Sequence, residues 1–207
     1  MYARVAAFEN ADMSQIDDLV ARIRERARTG TELPDAKGAL MLIDRQAGRS
    51  LGITFFESEE AIRAAEPVFE RMGDEIPEEK RGRRVSVDVY EVARFEGGEG
   101  AGAARVSSLE GPPERIDEGI RFADENVMPR AKELPGWKGY VFLVDRSSGR
   151  ARLIALWETA QALQRTEDAA DSLRQDAAAG SGQTISGVDR YEVALAERLA
   201  DLGAVRT

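Results

Sequence analysis

Residues 138–163 read KGYVFLVDRSSGRARLIALWETAQAL, and residues 37–62 read KGALMLIDRQAGRSLGITFFESEEAI. Lys, Gly, Leu, Asp, Arg, Gly, Arg, Ile and Glu recur at matching places, 101 positions apart. The same offset relates Ala3-Arg4-Val5 to Ala104-Arg105-Val106, Glu32-Leu33-Pro34 to Glu133-Leu134-Pro135, and Tyr90-Glu91-Val92-Ala93 to Tyr191-Glu192-Val193-Ala194. The chain of 207 residues is therefore one plan written twice, each copy the size of a small domain. The expected boundaries are residues 1–95 for the first repeat, 96–103 (EGGEGAGA) for a glycine-rich linker and 104–207 for the second repeat.

Working outward from the repeated stretch, Lys37 to Asp44 and Leu51 to Glu57 read as two strands joined by the turn Asp44-Arg45-Gln46-Ala47-Gly48-Arg49. Asp supplies side-chain acceptors for such a bend and Gly48 suits a positive φ, so turn chemistry accounts for this motif without an anion site. Before it, residues 2–9 predict a strand, and Met13, Ile16, Val20, Ile23 and Ala27 recur at helical spacing, closed by Thr29-Gly30. After it, Ser58 is placed to cap a helix that Pro67 bends, and RVSVDVYEVARF at 84–95 alternates as a long fourth strand. The second copy repeats the order, its first helix entered through Pro112-Pro113 and bent at Pro129, and residues 196–203 predict a short terminal helix.

Strand, helix, strand, strand, helix, strand is the split βαβ, or ferredoxin-like, pattern, an α+β class. Both alternating sets of the repeated strand are apolar: Tyr140, Phe142 and Val144 on one side, Val141 and Leu143 on the other. A sheet with helices on one face and water on the other would show polar residues on the second. Two βαββαβ repeats whose antiparallel sheets pack together into one intramolecular α/β barrel satisfy both faces. Such a chain builds alone what a homodimer otherwise builds, a monomeric pseudo-dimer that could pair further.

With 0 Cys and 0 His, thiolate catalysis, Ser-His-Asp triads, the usual zinc sites and His-ligated haem are excluded. Neither a cofactor nor a metal is expected. A net charge of −9 without a basic stripe argues against nucleic acid and anionic membrane as partners. No apolar run approaches the length of a membrane span, and MYARVAAFEN reads as a strand rather than a leader, so a cytoplasmic setting is expected.

Pro135-Gly136-Trp137-Lys138-Gly139, followed by Leu156-Trp157-Glu158-Thr159 and Ala162-Leu163, resembles the dimeric α/β-barrel superfamily, and most closely its antibiotic-biosynthesis-monooxygenase-like (ABM) branch. The motif is full only in the second copy. The first has Pro34-Asp35-Ala36-Lys37-Gly38, and Phe56 in place of Trp157. The resemblance implies a ligand cleft between sheet and helices, and a protein that binds a small hydrophobic or aromatic, quinol-like molecule. If the chain is an enzyme, the implied activity is a cofactor-free monooxygenase; the alternative is a non-catalytic scaffold or ligand-sensing module. The expected substrate-binding residues are Trp157 as an aromatic wall, Tyr140 beside Gly139, Asn126 as an amide and Arg105 as a mid-strand cation. Each also has a plain structural reading, as core aromatic, exposed helix residue or ion-paired strand residue.

Overall fold

The computed structural model describes residues 1–29 and 32–202. Its strands are β1 (Tyr2–Glu9), β2 (Ala36–Asp44), β3 (Arg49–Phe56), β4 (Arg83–Gly97), β5 (Ala103–Glu110), β6 (Trp137–Asp145), β7 (Arg150–Trp157) and β8 (Thr184–Glu197). The hydrogen-bonded order β1-β3-β2-β8-β5-β7-β6-β4 closes on itself as an eight-stranded antiparallel barrel. The expected α+β class and the intramolecular barrel are both found.

The described chain forms two compact units, residues 1–90 with 193–202, and residues 91–192. Strands β4 and β8 each contribute to both. In the second unit, β7 is central and pairs with β5 on one side and β6 on the other, so that Ala155 lies opposite both Arg105 and Tyr140. In the first unit β3 is central, and Thr54 lies opposite Arg4 and Ala39. The register of β2 and of β6 shifts at Ala36/Gly38 and at Trp137/Gly139, equivalent places in the two copies.

Helices cover one face of each sheet. In the first unit these are α1 (Ile16–Thr29), α2 (Glu59–Asp74) and the short α3 (Glu78–Arg81). Ser58 caps α2 by accepting from the Ala61 N–H at 3.2 Å, and Pro67 lies within it. Gly30, expected to close α1, lies outside the described residues. In the second unit α4 (Ile116–Phe122) passes through a π-helical turn at Ala123–Val127 into α5 (Met128–Ala131). Pro129 lacks the N–H that would continue the regular ladder, which is the physical reason for the widened turn before it. Thr159 caps α6 (Ala160–Arg165), and α7 (Glu167–Ser181) follows after Thr166. Tyr140, Phe142 and Val144 pack with Ile116, Ile120 and Leu173 of the helices. Val141, Leu143, Ile154 and Leu156, on the alternate face, are buried as well.

One expectation is corrected. The terminal helix over 196–203 is instead the continuation of β8 to Glu197 and a 3₁₀ turn at Leu199–Leu202. Arg198 turns the chain at φ 55°, and strand pairing overrides the helical propensity of AERLADL. Gly203 lies outside the described residues.

The repeated turn behaves as its residues predict. The Asp145 carboxylate accepts from the backbone of Ser147 and Ser148 at 3.0 and 3.3 Å and from both hydroxyls. These bonds, Ser147 first, hold its pKa well below the usual carboxylate range. Gly149 sits at φ 77° and Gly48 at φ 66°.

Candidate functional site

Each unit has its own cavity between helices and sheet. That of the first unit is about 250 Å³ and is walled by Phe8, Leu19, Ile23, Ile53, Phe69 and Met72 among others. That of the second is about 60 Å³, walled by Met128, Leu134, Leu153, Leu173 and both tryptophans. The two are the same place in the repeat, because lining residues correspond at the 101-residue offset: Arg4 with Arg105, Leu33 with Leu134, Met72 with Leu173. The difference in volume follows from a few side chains. Ala36, Gly52 and Gly73 stand where the second unit has Trp137, Leu153 and Arg174. A Cβ on Gly52 or Gly73 would meet nothing within 4 Å, so both glycines border open space.

The arginine common to both cavities sits mid-strand and is buried in each copy, Arg4 at 4% and Arg105 at 2% exposure. A buried guanidinium needs a carboxylate, and the helix above supplies one at the same offset, Glu66 or Glu167. In the first unit the pair is simple: Arg4 donates through Nε and Nη2 to the two oxygens of Glu66, at 2.7 and 3.1 Å, and stacks 4.0 Å above the Phe69 ring. In the second, Arg105 Nη2 donates to Glu167 Oε2 at 2.8 Å and to the Leu163 carbonyl at 3.0 Å. Its guanidinium lies 4.5 Å over the Trp157 ring.

Glu167 carries more than its counterpart. Arg174 Nη2 donates to Oε1 at 3.1 Å and Arg190 Nε to Oε2 at 3.0 Å. Burial pushes the Glu167 pKa up, but the bonds from Arg190, Arg105 and Arg174 outweigh it and bring the pKa down to about 2. Burial lowers the Arg105 pKa, partly offset by Glu167.

Of the residues expected from sequence, Trp157 and Arg105 meet at the second cavity. Tyr140 is buried behind it, its ring 6.2 Å from that of Trp137. Trp137 also stands edge-on to Trp157 at 5.3 Å. Asn126 is exposed on the π turn and donates to the Phe122 carbonyl at 3.2 Å, so it is not brought to the cavity. Sequence reasoning did not single out Glu167, Arg174 or the first-unit cavity. The recurrence of Glu66 as Glu167 beneath a recurring arginine was the signal available for the ion pair.

No family model matches the chain. An uncharacterised protein of Mycobacterium tuberculosis (strain H37Rv) is 28% identical over 201 residues, covering 95% of this chain and 88% of that protein. Among solved structures, an anthrone oxidase-like protein superposes with a TM-score of 0.64 at 14% identity, over 95% of this chain and 93% of that one. A ferredoxin-fold protein of Listeria monocytogenes, related to antibiotic biosynthesis monooxygenases, superposes with a TM-score of 0.53 at 12% identity, over 92% and 94%. The likeness is one of fold, an α/β barrel built from ferredoxin-like repeats. Among the described residues no helix is long and apolar enough to cross a membrane, and no group of three or more Asp or Glu is placed to hold a metal ion.

Proposed function

We propose that this ABM-like protein binds a small hydrophobic, aromatic molecule, and that the first-unit cavity is where it does so. The observation that carries the reading is the open apolar space of about 250 Å³ beside Gly52 and Gly73. A dry cavity of about 150 Å³ accommodates a benzene ring, so this one has room for a fused bicyclic, whereas the second unit's 60 Å³ has room for no ring at all. Arg4, held rigid by Glu66 and Phe69, gives the cavity a fixed polar edge against which a phenolic oxygen can be oriented. The ABM-like fold suggests cofactor-independent monooxygenation of that ligand, with dioxygen as the oxidant, in a cytoplasmic setting.

A ligand-sensing module without catalysis is the second reading, and one observation favours it. Of the glutamates on the cavity wall, Glu70 accepts from Arg84 at 2.9 Å and Glu32 lies 3.8 Å from Arg26, while Glu66 next to the wall is engaged by Arg4, so each has a cation beside it.

The test is a thermal-shift screen of the full chain against anthrones, quinols, flavins and haem, followed by oxygen uptake. A ligand bound only by the native state raises the melting temperature with its occupancy. A shift with quinols or anthrones that Gly52→Leu abolishes is the expected result. Oxygen uptake with that ligand supports the enzyme, and its absence the sensor. If no aromatic compound shifts the native protein, the binding reading is lost.

A further inference from the structure

We propose that Ser50 and Thr54 set the specificity of the first-unit cavity, a role that rests on the aromatic-ligand reading of that cavity. Together they select a fused aromatic bicyclic with an oxygen at each end of its long axis. Ser50, Gly52 and Thr54 are alternate residues of β3, so they share one face of the strand. All three line the cavity. A Cβ at Gly52 would meet nothing within 4 Å, so the middle of that face is open, with a hydroxyl on either side of the gap.

Neither hydroxyl is used by the fold. Among the described residues the Ser50 and Thr54 side chains meet no hydrogen-bond partner. Neither oxygen is sealed within the packing, although Ser50 as a whole is only 3% exposed. The space left to them is the cavity they line. In the second unit the same strand positions hold Ala151, Leu153 and Ala155, so the repeat forms its sheet without either hydroxyl. A hydroxyl facing apolar walls gains nothing from them and is satisfied only by what enters the space. The two ends differ in their neighbours: Ser50 lies opposite Phe8, and Thr54 lies opposite Arg4.

Spacing narrows the ligand further. Ser50 and Thr54 stand four residues apart on β3, about 13 Å at the rise of a strand. A hydrogen bond of about 2.8 Å at each end leaves about 7–8 Å between the oxygens of a ligand that reaches both. The long-axis oxygens of a fused ring pair stand about that far apart, whereas the para oxygens of a single ring fall short. The volume agrees, since about 250 Å³ has room for such a ring pair. A hydroxyl both donates and accepts, so each end can take a phenol or a carbonyl oxygen. Gly52 admits the rings between them, and Leu19, Ile23 and Phe69 supply apolar wall.

The full chain is titrated by calorimetry with 2,6-dihydroxynaphthalene, 2-naphthol and hydroquinone. The naphthalene diol is expected to bind roughly three- to tenfold more tightly than 2-naphthol, the worth of one added hydrogen bond, and hydroquinone more weakly than either. Ser50→Ala and Thr54→Val should each bring the diol Kd to that of 2-naphthol on the native chain. The Kd of 2-naphthol, whose one oxygen keeps one hydroxyl, should change by less than about twofold in either single variant. The double variant should bind the two compounds equally. Ser50→Ala alone serves if Thr54→Val fails to fold, because alanine already stands at the counterpart position, Ala151. A diol bound no more tightly than 2-naphthol, hydroquinone bound as tightly as the diol, or a preference that survives in the double variant would overturn the assignment while leaving the aromatic-ligand reading in place. If neither naphthol binds the native chain, both are lost.

Discussion

Arg4 and Arg105 share the same strand position and the same helix carboxylate, yet the cavities beside them differ in size and charge. Around Arg4 the side chains are small, at Ala36, Gly52 and Gly73, and one satisfied ion pair stands at the edge of an apolar space. Around Arg105 the side chains are larger and more charged, at Trp137, Leu153 and Arg174, and one carboxylate serves three arginines. Within one chain, a duplicated pocket can keep its buried pair as a fixed anchor while the residues around it set size and polarity. The ion pair is common to both copies, and its neighbours set the size and polarity of the space beside it.

The sharpest way to break the comparison is to remove the carboxylate in each copy. Glu167→Gln leaves Arg105 buried with its counter-charge gone and releases Arg174 and Arg190, so a loss of about 3 kcal/mol is expected from denaturant unfolding. Glu66→Gln releases one arginine, and Glu66 is the more exposed carboxylate, at 37% against 28%. About 1–2 kcal/mol is expected there. Equal losses would show that the extra arginines of the second unit add nothing to the anchor. The pH dependence carries the same information. Glu167 has its pKa depressed to about 2 in the folded chain, so its contribution is present above the ordinary glutamate range near 4.5 and is lost as pH falls toward 2. Stability of the native chain should fall across that window more steeply than that of Glu167→Gln.

Next in size is Trp137→Ala, which gives the second unit the residue that the first has at Ala36. Trp137 packs on both Trp157 and Tyr140 and is partly buried, so truncation should cost about 2–3 kcal/mol. It should also open the second cavity toward ring size. The expected outcome is a second, weaker site for whatever aromatic ligand the native chain binds, read as a change in calorimetric stoichiometry. An unchanged stoichiometry would mean that volume alone does not distinguish the two pockets.

The fold was legible because its signals are local and repeated. The 101-residue recurrence, the apolar residues on both faces at 140–144 and the Asp-Arg-x-x-Gly-Arg turns each constrain backbone, and the barrel follows from them. The terminal segment failed because β8 runs on to Glu197, two residues into the stretch 196–203 whose composition suggested a helix. The sites were less legible for a different reason. A cavity is made by side chains that are absent, and Gly52 in a strand or Gly73 in a helix reads as a weak element rather than as a void. The aromatic motif drew attention to Trp157 and so to the second copy, where the same aromatics occupy space that stands open in the first. Asn126 looked available as an amide because periodicity cannot show a π turn carrying it to the surface.

The smallest expected effects come from filling the first cavity, and they are the most discriminating because they should stabilise. Gly52 lies mid-strand without positive φ, bordering open space, so Gly52→Leu restores the residue of the second copy and buries new apolar surface. A gain of about 1 kcal/mol is expected, a rise of roughly 2–4 °C in melting temperature for a chain of this size. Gly73→Ala, near the end of α2 and equally unobstructed, should add about 0.5 kcal/mol through helix propensity alone. The two substitutions separate emptiness from function. If Gly52→Leu stabilises the chain while abolishing the aromatic-ligand shift, the open space has been kept at a cost in stability, which is the mark of a binding site. If it destabilises, the space is not empty as drawn, and the contrast between the two units must rest on charge rather than on volume.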